Sequence, residues 1–93
     1  MPHPTSQYAY RYACMFANGQ SVVFLVVGTW AEHVEAKRSE LPSSLQYYLD
    51  IVYHHSVPVS WFPLDKVHRI EKGKTYYSLD SDEICVAKKA YAC

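Results

Sequence analysis

Two β-favouring runs, YAYRYACMFA and QSVVFLVVG, flank Asn18-Gly19. Asn-Gly between apolar runs predicts a hairpin over 8–27 with a two-residue type I′ turn, whose central residues both need positive φ. Such a turn sets a register. Met15 then faces Val22 and Ala13 faces Phe24, while on the other side Tyr12 faces Leu25 and Tyr10 faces Val27. The first strand is two-faced. Tyr8, Tyr10, Tyr12, Cys14 and Phe16 share one face, and Ala9, Arg11, Ala13, Met15 and Ala17 the other. The second strand is apolar on both sides, which calls for cover on each. Helices approach small residues closely, so they are expected on the alanine face. The tyrosine face is then left to later strands or to another molecule.

Thr29-Trp30-Ala31-Glu32 has the form of a capping box, and a helix is expected from there to about Glu40. Its apolar stripe is narrow: Trp30, Val34 and Leu41. Pro42 ends it. Ser43 or Ser44 can cap a second helix, whose core face is read as Leu45, Tyr48, Leu49 and Val52, with Tyr47, Ile51 and His54 on another flank. This segment is apolar around most of its circumference, so it is deeply buried or meets a partner. The β-branched pair Ile51-Val52 leaves a strand reading open. Beyond it, Val57–Phe62 reads as an edge strand marked by Pro58 and Pro63. Val67–Glu71, Thr75–Leu79 and Ile84–Tyr91 follow, separated by the turns Lys72-Gly73-Lys74 and Asp80-Ser81-Asp82. The order β-β-α-α-β-β-β-β, without long crossovers, implies an α+β domain. An antiparallel sheet of five to six strands would carry one or two helices on one face. Residues 1–7, with two prolines, read as an irregular N-terminal segment.

Composition narrows the function classes. A chain of 93 residues suits one domain. Nine Lys and Arg balance nine Asp and Glu. Zero net charge argues against coating nucleic acid by charge alone, and it removes the repulsion between copies. The three cysteines, Cys14, Cys85 and Cys93, form no disulfide framework, and neither a secretory signal nor a membrane-length apolar run is visible. A cytoplasmic chain with reduced thiols is the expectation.

Candidate chemistry is sparse. Asp50, His54 and His55 form the only close set of metal-ligand types, and Asp50 with His54 would share a helix face. The plainer reading is an Asp–His contact at a helix end, with no metal. Cys14 or Cys85 with a histidine lacks any recognisable catalytic surround, and three glycines cannot build a phosphate cradle. The carboxylates Asp80, Asp82 and Glu83 read as a solvated turn. No enzyme and no cofactor is expected.

Two binding readings remain. Nine Tyr, two Trp and three Phe exceed what one small core readily holds. Tyr and Trp are effective interface anchors. A protein-binding module is therefore expected, docking a partner or a second copy through Tyr8, Tyr10, Tyr12, Tyr47 and Ile51. A regulator or inhibitor of a larger complex, such as a phage- or mobile-element-encoded inhibitor of host defence, fits the size and the lack of chemistry. The alternative is a single-stranded nucleic-acid-binding domain, stacking bases on the tyrosine face beside Lys66, Arg69, Lys72 and Lys74.

Overall fold

A computed structural model describes residues 7–92. Strands β1 (Gln7–Phe16) and β2 (Ser21–Thr29) form the hairpin, and helices α1 (Trp30–Ala36) and α2 (Ser43–Val52) follow. Then come β3 (Pro58–Val67), β4 (Arg69–Ile70), β5 (Thr75–Ser78), β6 (Glu83–Val86) and β7 (Tyr91–Ala92). The chain is α+β, in the expected order except that the last expected strand, Ile84–Tyr91, is divided into β6 and β7. The five-stranded sheet runs β3-β1-β2-β5-β6, and β4 pairs β7 in a separate ribbon. The sheet is mixed rather than purely antiparallel, because β2 and β5 are parallel, joined through Val26↔Tyr77 and Val27↔Ser78. The helices and β3 supply the long return that a parallel pair needs. Gly28 makes this junction possible: a Cβ there would lie 2.8 Å from Leu79 Cβ. Gln7, assigned to the irregular segment from sequence, opens β1; the rest of that segment lies outside the described residues.

The hairpin turn differs from the expected one by a single residue. Gly19 N–H donates to Phe16 O and Phe16 N–H to Gln20 O, closing a three-residue loop in which Gly19 takes φ +87°. Asn18 instead accepts the Gln20 N–H through its side chain. Tyr12 therefore pairs with Phe24, Tyr10 with Val26, and Met15 with Ser21. Because β2 is apolar on both faces, slipping by one residue cost it no burial, and its pattern could not select the register.

The helices lie on the tyrosine face, opposite to expectation. Tyr12, Cys14, Phe16, Val26, Trp61 and Tyr77 are buried with Ala36, Leu41, Leu45 and Leu49 in one core. Aromatic side chains carry the largest apolar surface on β1, and covering them outweighs the closer approach that alanines allow. On the alanine face a second, smaller cluster forms at one corner, where Ala9 and Val27 pack with Ile70 and Ala87 near the β4–β7 ribbon.

The Thr29 capping box forms as read: Glu32 N–H donates to Thr29 Oγ1, and Thr29 N–H to Glu32 Oε1. α1 ends at Ala36, short of Glu40. α2 is helical, with Pro42 at its N-cap and no side-chain cap. Ser44 is used elsewhere: with Tyr77 it hydrogen-bonds Asp82, tying α2 to the β5–β6 turn and holding the Asp82 carboxyl below the usual range. Among the described residues no helix is long and apolar enough to cross a membrane.

Candidate partner-binding surface

Only Leu45 and Leu49 of α2 are buried. The inward face assigned from sequence was broader, and the structure corrects it: Tyr48 is 37% exposed and Val52 42%. A helix of under three turns lying on the sheet presents a narrow stripe, and its flanks stay in water. Tyr47 is 71% exposed and Ile51 51%, as expected for residues left free to meet a partner. The one charge on the helix is Asp50.

The chain then reverses. Tyr53 N–H donates to Leu49 O and His55 N–H to Asp50 O, with His54 and His55 at φ 62° and 64°. Two successive non-glycine residues in the left-handed region cost about 1–2 kcal/mol each. The turn brings Val57 and Pro58 beside Tyr47, where Ser43, Gln46 and Asp50 complete a shallow groove of about 290 Å³. Val57 and Val59 are themselves exposed. Tyr47, Val57 and Pro58 thus give this groove apolar walls from α2 and the entry to β3, with Ile51 one helical turn along α2 from Tyr47.

The other three residues expected at an interface lie elsewhere. Tyr12 is 1% exposed, Tyr8 is buried and Tyr10 half-buried. They surround His33 of α1, which sequence reasoning did not single out. Tyr12 O–H and His33 Nδ1 lie 2.7 Å apart, and His33 Nε2 lies 3.1 Å from Tyr8 O. The carbonyl can only accept, so Nε2 carries the proton and Nδ1 accepts from Tyr12. The Tyr10 ring is 4.4 Å from the imidazole, and Trp61 stacks on Tyr12 at 4.5 Å. Burial pushes the His33 pKa below the ordinary histidine value and the Tyr12 phenol upward. Both are held neutral as structural hydrogen-bonding groups. No periodicity marks His33; the one available signal was its place one turn below the Thr29 cap.

This covering takes Tyr8 and Tyr12, two of the rings expected to stack bases, out of solvent. Lys66 lies over the Tyr8 ring at 4.2 Å, Arg69 is in β4, and Lys72 and Lys74 flank Gly73 in the β4–β5 turn. Asp65, next to Lys66, holds Arg11 through two hydrogen bonds of 2.8 Å.

The remaining candidates resolve similarly. α2 ends at Val52, so Asp50 and His54 do not share a helix face, and among the described residues no three metal-ligating side chains converge. Burial pushes the Cys14 thiol up to about 11, so it packs as a neutral apolar group. Cys85 is half-buried, with its sulfur 3.8 Å from Glu83 Oε1. It borders a cavity of about 280 Å³ with Tyr76, Ser78, Asp80, Glu83 and Tyr91. Burial, with Cys85 and Tyr91 alongside, pushes the Tyr76 phenol up to about 12. Cys93 lies outside the described residues. No family model matches the chain, and no curated protein or solved structure matches it either.

Proposed function

We propose that this chain is a small, non-enzymatic protein-binding module that regulates or inhibits a larger assembly by occupying one of its surfaces. The outward face of α2 carries this reading: Tyr47, Tyr48, Ile51 and Val52 are all substantially exposed on a ten-residue helix. Single exposed apolar residues are ordinary on protein surfaces, whereas a contiguous patch marks a contact site. Tyrosine suits such a site, since it buries a rigid ring at low entropic cost and keeps a hydroxyl for the rim. Zero net charge opposes neither a heterologous partner nor a second copy. A cytoplasmic setting is in keeping with the free thiols of Cys14 and Cys85.

The test uses purified wild-type protein and the double variant Tyr47→Glu/Ile51→Glu as baits in an extract of the encoding cell. The expected result is one protein retained in stoichiometric amount by the wild type and lost from the variant, with equal melting temperatures. Retention that survives the double variant overturns the reading. So does a wild type that instead binds single-stranded oligonucleotide with steep salt dependence.

A further inference from the structure

The parallel junction leaves half of β2 with an open edge. Gln20 O faces β1, accepting from Phe16, and Val27 O faces the other way, accepting from Leu79. Backbone groups alternate sides along a strand, so Ser21, Val23, Leu25 and Val27 point away from β1. The first β2–β5 pair is Val26↔Tyr77. Among the described residues, Ser21 and Val23 therefore have no strand partner on that side. β2 and β5 diverge here. On the helix side the gap opens into a groove of about 300 Å³, with Val22, Phe24, Leu45, Leu49, Tyr53 and Ile84 among its walls.

The other long edge of the sheet is guarded and this one is not. β3 carries Pro58 and Pro63, which lack N–H groups, and two register irregularities against β1. Such features discourage strand addition. Ser21–Leu25 holds no proline, charge or irregularity, and Val23 is 54% exposed.

We infer that the Ser21–Val23 edge of β2 accepts a short extended segment of a partner protein as an added strand, with an apolar side chain seated in the groove beneath α2. This deepens the protein-binding reading and rests on it. The chemistry of the occupant follows from the edge. Unpaired N–H and C=O groups call for another extended backbone, and the groove for an apolar residue at alternate positions. A second copy of this chain is blocked in the register centred on Val23. Antiparallel self-pairing about Val23 would set Gln20 of the copy opposite Val26, where Tyr77 already lies. The occupant must end, or turn away, where the gap closes, which suits a chain tail or a loop.

The probe is a capped peptide of about six residues alternating valine and threonine between terminal lysines. Its partner peptide has the same side chains with N-methylated valines. Titration into the full chain is followed by amide hydrogen exchange. The expected result is saturable binding, with exchange at Ser21 and Val23 slowed by about tenfold or more, and loss of binding on N-methylation. Val23→Pro should abolish binding and leave the fold intact, because the Val23 N–H bonds no strand. Val23→Lys should weaken binding should the proline variant fail to fold. Absence of binding, binding that ignores N-methylation, or protection at Ser21 and Val23 that depends only on protein concentration each overturns the inference. The Tyr47→Glu/Ile51→Glu variant should bind the peptide normally, so the two readings fail separately.

Discussion

The two helices sit on the same sheet face and are held there differently. α1 anchors through His33 and Ala36 and exposes Trp30 at its start and Glu35, with Lys37 and Arg38 just beyond its end. It has a capping box and a buried imidazole bonded at both nitrogens. α2 anchors through Leu45 and Leu49, lacks a side-chain cap, and exposes Tyr47, Tyr48, Ile51 and Val52. α1 has the local chemistry of an element selected to stay folded. α2 lacks that local support, so its helicity leans on the packing of Leu45 and Leu49.

That contrast is sharpest at the anchors. Leu49→Ala should lower the unfolding free energy by about 2–5 kcal/mol, because the site is fully enclosed and a cavity remains. Urea denaturation measures it. A loss under about 1 kcal/mol would show that α2 does not rely on this contact.

His33→Phe should cost about 1–3 kcal/mol at neutral pH, since Tyr12 O–H and Tyr8 C=O both lose a buried partner. His33 also predicts a pH dependence. Its folded-state pKa lies below the ordinary 6.5, through burial opposed by the Tyr8 carbonyl and Glu32, with Lys37 adding to the depression. The unfolded chain therefore takes up the proton first. Stability contributed by the neutral imidazole is present above about pH 6.5 and is lost as pH falls through the folded value, with a slope of at most about 1.4 kcal/mol per pH unit. Denaturation midpoints at pH 7, 6 and 5 should fall for the wild type and fall less for His33→Phe.

Caps separate the helices next. Thr29→Ala should cost about 1 kcal/mol, whereas Ser43→Ala should change stability by only a few tenths, roughly 0.3 kcal/mol. Equal effects would erase the distinction. The smallest stability effect belongs to the exterior: Tyr47→Ser and Ile51→Ser should each stay within about 0.5 kcal/mol of wild type while reducing partner retention. A larger loss would place these side chains in the fold rather than at a contact.

What the sequence disclosed follows the same division. Local signals read correctly: the strand–turn–strand, the Thr29 box and the edge position of the proline-bearing β3; Pro63 did not end that strand, which runs on to Val67. Element ends were misjudged locally, as where α1 stops at Ala36, but the larger errors needed information from distant residues. Asn-Gly fits a two-residue turn or a three-residue loop, and β2, apolar on both faces, could not choose between them. Which face the helices take was decided by the bulk of Tyr12, Phe24 and Trp61, whose β3 member lies far along the chain. Tyr47 and Ile51 were legible because an all-round apolar helix too short to be enclosed must expose a flank. Tyr48 and Val52 were missed because heptad-like spacing identifies a face without giving its width. His33 was invisible because its partners are brought to it by the β1 register.

The β2–β5 seam also bears on how the chain assembles. β1 and β2 are adjacent in sequence and close a small loop, whereas Val26 meets Tyr77 only after the helices and β3 are in place. Loop-closure entropy delays such distant pairings. The segment from β5 to β6 therefore docks late and, held by two parallel pairs and the Ser44–Tyr77–Asp82 tie, is the first part expected to detach. With Gly28 directly beneath Leu79, even one added methyl group would act as a wedge at this seam. The molecule would then tear there before its hairpin melts.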